Sequence, residues 1–113
     1  MDSDMHYMME GNTIRRNSKR IEIGENAWIS NRVSILKGTK LPPNMIVASN
    51  SLLSKDFSSI PENSVLAGTP AHCVKENVQR VQGVDNERLL REYFRKNKSE
   101  NSVNAEFIGI KIQ

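Results

Sequence analysis

The stretch IEIGENAWISNRVSILKGTKLPPNMIVASNSLLSKDF places a branched aliphatic at every sixth position: Ile23, Ile29, Ile35, Leu41, Val47 and Leu53. Four residues after each come Ala27, Val33, Thr39, Met45, Ser51 and Phe57, a second row made mostly of small or β-branched side chains. Turn formers and polar residues such as Gly24, Asn26, Asn31, Gly38, Pro42, Pro43, Asn44 and Asn50 lie between the rows. A helical stripe recurs at about 3.6 residues and a half-buried strand at about 2, so neither accounts for this rhythm. A short strand followed by a turn, repeated, does. Three such units close one triangular coil, with each aliphatic pointing to the axis. Stacked coils then align the aliphatics into a continuous buried column. Residues 23–58 would form two full coils of an all-β, parallel β-helix of about two to three coils. A sandwich of short strands is the competing arrangement, but its spacing would drift rather than hold its period for so long.

With 113 residues, the chain has room for one modest core. A formal charge of +3, with aromatics at 5%, is too little for the dense cationic stripe of a nucleic-acid binder. No apolar run approaches the length of a membrane span. Asp2 and Asp4, with no apolar stretch behind them, argue against a signal peptide. The single Cys73 cannot form an internal disulfide, which points to a reducing, cytoplasmic compartment and to a small packed side chain rather than a nucleophile.

Three ordered motifs go beyond the repeat. IEIGENAWISNRVSILKGTKL, SNSLLSKDF and SVLAGTPAHCVK together resemble the left-handed parallel β-helix acyltransferases, the hexapeptide-repeat transferases. The nearest likeness is to the enzymes that O-acetylate sugars and capsular or cell-surface polysaccharides, with the maltose and galactoside acetyltransferases. The resemblance covers residues 2–78 and implies a left-handed coil, acetyl-CoA as co-substrate, a hydroxyl-bearing saccharide acceptor and a homotrimer with sites between neighbouring chains.

It also implies roles for particular residues. DSDMH stands where the family carries its catalytic histidine, so His6 would be the general base, its ring oriented by Asp4 or Asp2. An imidazole suits the task because this side-chain type is mostly uncharged at neutral pH yet basic enough to take a hydroxyl proton. The implied contacts to acetyl-CoA are Asn31, Ser49, Ser54 and Lys55, with His72 and Lys75 reaching the phosphates. Trp28 would pack at a coil corner or line the acyl pocket. Zinc-dependent hexapeptide-repeat enzymes need three histidines around the ion, and this chain has two, so no metal is expected.

Some family features are altered. Ser30 replaces a glycine, Ala48-Ser49-Asn50-Ser51 replaces a glycine-rich turn, and the loop FSSIPEN is about two residues longer. Coils or a helix that usually precede the histidine are missing. Either the chain is part of a longer protein or association covers the open end of the stack. The alternative to an enzyme is a non-catalytic, trimeric β-helical assembly module.

Residues 1–78 thus read as the acyltransferase-like domain and 79–113 as a helix and tail. In the second part Asp85 is an expected N-cap, and Leu89, Leu90, Tyr93 and Phe94 share one apolar face. Glu87/Arg91 and Glu92/Lys96 are spaced for side-chain pairs. KSENSVNA reads as a polar linker, and EFIGIKIQ as a final strand.

Overall fold

The structure is a computed structural model that describes residues 6–110. It divides into two compact units, Met1–Gln79 and Arg80–Gln113. The first begins with a hairpin of β1 (Met9–Glu10) and β2 (Thr13–Ile14), paired antiparallel as Met9↔Ile14 and Glu10↔Thr13. Its loop is Gly11–Asn12, and Gly11 takes the left-handed φ of 59° that a two-residue hairpin loop favours.

Two coils follow. The first holds β3 (Glu22–Ile23), β4 (Trp28–Ile29) and β5 (Ser34–Ile35); the second holds β6 (Lys40–Leu41), β7 (Ile46–Val47) and β8 (Leu52–Leu53). Each strand pairs in parallel with the one directly above it, as Glu22↔Lys40, Trp28↔Ile46 and Ser34↔Leu52. The stack therefore has three faces, carrying β3 and β6, then β4 and β7, then β5 and β8. A third, partial coil adds the Lys40↔Asp56 bridge to the first face and β9 (Val65–Gly68) to the second. β10 (Ala71–Lys75) then turns back antiparallel along β9 and takes the sheet edge that β9 would otherwise expose.

The period of six places the second residue of each two-residue strand on the axis. Val47 and Leu53 are fully buried and Leu41 nearly so, in one cluster with Met45, Phe57, Leu66 and Ala71. The first coil closes less tightly: Ile23 is 43% exposed, and Ile29 and Ile35 are half-buried. The hydroxyls of Thr39 and Ser51 in the second row, and of Ser64 just before β9, are buried, and each donates to the carbonyl three residues earlier, of Leu36, Ala48 and Pro61. These bonds let polar side chains enter the core without the cost of an unpaired buried group.

The corners explain the polar filling between the rows. Asn26, Arg32, Gly38, Asn44 and Asn50 all have positive φ, from 57° to 83°, and recur every six residues, once per turn. Glycine reaches this region freely and asparagine at small cost, which accounts for four of the five. Gly24 is required for another reason. A Cβ there would sit 2.5 Å from the Pro42 carbonyl carbon, so the first coil can rest on the Pro42–Pro43 turn only without a side chain. The longer loop lies between Asp56 and Val65, where the chain advances nine positions against six between Lys40 and Ile46.

The second unit carries α1 (Val84–Lys96), preceded by Gly83 at the N-cap with no side-chain cap. Asp85 therefore falls inside the first turn, where its charge favours the helix N-terminus, and is not the cap itself. Asn97 closes the other end, its backbone and side-chain N–H groups both donating to the Tyr93 carbonyl. Tyr93 and Phe94 meet edge to face at 5.2 Å. The spaced pairs Glu87/Arg91 and Glu92/Lys96 do not close into ion pairs among the described residues, in keeping with their exposed positions. Nor does a final strand form through Ile110. Residues 105–109 make turns, with the Ile110 N–H donating to the Ala105 carbonyl. A glycine at 109 with φ of 81° interrupts the alternation that a strand needs.

Candidate functional site

Each corner of the stack collects side chains from successive coils. The corner leaving the second face is built from Ser30–Val33, Ala48–Ser51 and the turn after β9. The Asn50 N–H donates to the Asn31 carbonyl at 3.0 Å, which fixes the first two turns one above the other. The Ser51 hydroxyl, already donating to the Ala48 carbonyl, accepts the Gly68 N–H at 3.3 Å and ties in the third. His72 leans over Gly68: a Cβ on that glycine would meet the imidazole at 3.4 Å. Asn31, Ser49 and His72 are thus brought to one corner, all exposed, over about 10 Å of stack height.

His72 and Lys75 share more than sequence proximity. Two residues three apart on a regular strand point to opposite sides. Here the register slips between Cys73 and Lys75, so His72 pairs with Ala67 and Lys75 with Val65. Ala67 and Val65 lie on one side of β9, with buried Leu66 between them pointing inward. The bulge therefore puts both basic residues on the outer side of the second face, His72 at one end of β10 and Lys75 at the other.

The remaining candidates lie elsewhere. Ser54 and Lys55 occupy the next corner, after β8, with the Lys55 ammonium 5.4 Å from the Phe57 ring centre. Lys75 ends at the third corner, near the start of β9. His6 is exposed ahead of the β1–β2 hairpin, and Asp4 lies outside the described residues. Within one chain, then, the expected set divides among three corners and the leading segment.

Trp28 is not at a corner. It stands on the outer side of β4, 45% exposed, in register with Ile46 and Val65. The second face consequently presents a ladder of Trp28, Ile46 and Val65, with Ala67 beside it. The first presents Glu22 and Lys40, with an ion pair at 3.9 Å. Beside it, Asp56 accepts hydrogen bonds from the Ser58 hydroxyl and from the Ser58 N–H at 2.8 Å. The side-chain bond foremost, and then the backbone one, hold the Asp56 carboxyl below its ordinary range.

Arg32, which the motifs did not single out, is a further occupant of the Asn31 corner. The visible signal was positional: it stands at the turn position that asparagine or glycine fills at 26, 38, 44 and 50. Among the described residues no group of three or more histidine, cysteine or acidic side chains is placed to hold a metal ion. No helix among them is long and apolar enough to cross a membrane.

No family model matches the chain. Individual proteins do. Over 59 residues it is 37% identical to a putative lipopolysaccharide biosynthesis O-acetyl transferase of Escherichia coli strain K12, covering 52% of this chain and 29% of that protein. Over 53 residues it is 38% identical to the galactoside O-acetyltransferase of Lactococcus lactis, covering 47% of this chain and 24% of the other. Among solved structures, the polysialic acid O-acetyltransferase OatWY is 31% identical with a TM-score of 0.65, over 81% of this chain and 46% of that one. The chain is thus related to O-acetyltransferases, and its resemblance to the hexapeptide-repeat acyltransferases holds in both sequence and fold. It spans less than a third of the length of these curated relatives.

Proposed function

We propose that the chain takes part in acetyl-CoA-dependent O-acetylation of a saccharide hydroxyl. The observation that supports this most is the corner where Asn31, Ser49 and His72 stack on successive coils, in a chain whose relatives are O-acetyltransferases. Amide, hydroxyl and imidazole groups in a column suit an extended ligand with amide and phosphate groups. The coils wind left-handed in this reading, and the cytoplasm is the compartment in which it works.

Acetyl-CoA supplies the acetyl group as a thioester when bound. His6 accepts the proton of the acceptor hydroxyl as that oxygen bonds to the carbonyl carbon, and returns it to the leaving sulfur as the carbon–sulfur bond breaks. Asp4 or Asp2 holds the other ring nitrogen. Asn31, Ser49 and His72 line one side of the ligand. Ser54, Lys55 and Lys75, which lie at other corners, would join them from a neighbouring copy. A homotrimer packed through the Trp28–Ile46–Val65 face provides such a neighbour. The test is thiol release from acetyl-CoA in the presence of a panel of saccharides. His6→Ala should lower the rate about 10²–10⁴-fold with CoA affinity kept. Equal rates in the variant and the parent protein would remove His6 from the mechanism.

A further inference from the structure

A cavity of about 340 Å³ opens beside the first turns of α1, inside the second unit, and three arginines line it: Arg80, Arg88 and Arg91. The local fold brings them together. Arg88 and Arg91 lie three apart on the helix and share one face, with Val84 a turn before them. Arg80 reaches the same cavity from the segment that leads into α1. The half-buried Leu90, Tyr93 and Phe94 lie on another side of the helix, so its packing does not call for arginine here.

Charge narrows what the cavity takes. Glu87 is the acidic member of the lining, which leaves a net formal charge of +2. Glu87 stands four residues before Arg91, at the spacing of a helical pair, yet Arg88 and Arg91 make no ion pair among the described residues. Like charges gathered at one place repel, and a bound anion relieves that repulsion. A guanidinium offers a planar fork of donors that fits a phosphate or a carboxylate. A carboxylate spreads a single charge over two oxygens. A phosphate monoester carries about 1.5–2 charges on three acceptor oxygens at neutral pH, the closer match to three forks and this net charge. Val81 and Val84, the latter 75% exposed, add an apolar wall for the carbon skeleton beside the phosphate. The geometry points to a phosphate-monoester site in this cavity, built from residues that belong to none of the coil corners described above. The monoester belongs to a soluble phosphorylated compound or to a lipid headgroup, and the experiment separates the two.

Calorimetric titration of the full chain with glycerol 3-phosphate and with glycerate tests the chemistry. Flotation with phosphatidylcholine vesicles containing phosphatidic acid or phosphatidylglycerol tests the source. The monoester should bind at least about tenfold more tightly than the carboxylate. Arg88→Ala and Arg91→Ala should each weaken it about tenfold, and Arg91→Lys less, because an ammonium keeps the charge but loses the fork. Arg95→Ala removes the same charge from the same helix outside the cavity and should change binding by less than about twofold. Flotation with phosphatidic acid and not with phosphatidylglycerol assigns the site to a lipid headgroup; binding of glycerol 3-phosphate without flotation assigns it to a soluble compound. No preference for the monoester in either format overturns the inference, as does an Arg95→Ala loss equal to that of Arg88→Ala. A fall in CoA affinity that parallels the Arg88→Ala loss also overturns it, by assigning the cavity to the phosphates of CoA.

Discussion

Gly24→Ala tests how closely the coils are stacked. The added methyl would lie 2.5 Å from the Pro42 carbonyl carbon and 2.7 Å from the Pro43 Cα, both backbone atoms that cannot swing aside. An ordinary carbon contact is about 3.5 Å or more, so the first coil must lift by about 1 Å at this corner. Two hydrogen bonds cross the gap there, from the Gly24 N–H to the Leu41 carbonyl and from the Asn44 N–H to the Glu25 carbonyl, both at 2.8 Å. Lengthened by that amount, each passes beyond useful hydrogen-bond range. Their loss costs about 1–3 kcal/mol together. Alanine restricts the unfolded chain and returns about 0.4–1 kcal/mol, since φ at this position is not left-handed. A net destabilisation of about 1–2 kcal/mol is expected in urea unfolding followed by far-ultraviolet circular dichroism. Faster hydrogen exchange at the amides of Gly24 and Asn44 should accompany it. Glu25→Ala, exposed and one residue away, should change stability by less than about 0.5 kcal/mol. An unchanged midpoint for Gly24→Ala would refute the stacking argument.

Other outcomes follow from the core and the first face. Ser51→Ala removes the donor to the Ala48 carbonyl and the acceptor for the Gly68 N–H, and should cost about 1–3 kcal/mol in the same unfolding assay. Phe57→Ala empties the largest fully buried position and should cost about 3–5 kcal/mol, enough to broaden or abolish the cooperative melt. The Asp56 carboxyl is depressed in the folded chain, so its contribution is present above the ordinary carboxylate range and is lost as pH falls through the folded value. Ser58→Ala removes the main cause, and carboxyl titration by nuclear magnetic resonance should show Asp56 moving upward towards its ordinary value.

The coil architecture was legible because its cause is periodic. One aliphatic every six residues admits few arrangements, and the positions of Ile29, Leu41, Val47 and Leu53 in the stack follow directly from it. The corners were half legible. Asparagines at 26, 44 and 50 marked turns, but Arg32 showed its left-handed backbone only in the structure, since nothing about an arginine advertises that conformation. The His72–Lys75 alignment depends on a strand bulge, a local slip that leaves no periodic trace. The C-terminal segment was harder to read for a related reason. Its helix was visible from spacing, while the cap at Gly83 and the absence of a strand through Ile110 were decided by single residues. The grouping of site residues was not legible at all. Which corner a residue reaches depends on the exact count of residues per coil, and the long loop before β9 changes that count.

Whether this stack of coils serves acetyl transfer is decided by CoA titration in calorimetry, with the protein's mass measured by light scattering. A trimer that binds CoA at micromolar concentration is expected, with binding weakened at least about tenfold by Lys55→Ala and by Lys75→Ala, and unaffected by His6→Ala. A trimer indifferent to millimolar CoA would contradict a role in acetyl transfer, and would leave the assembly module as the better description of the chain.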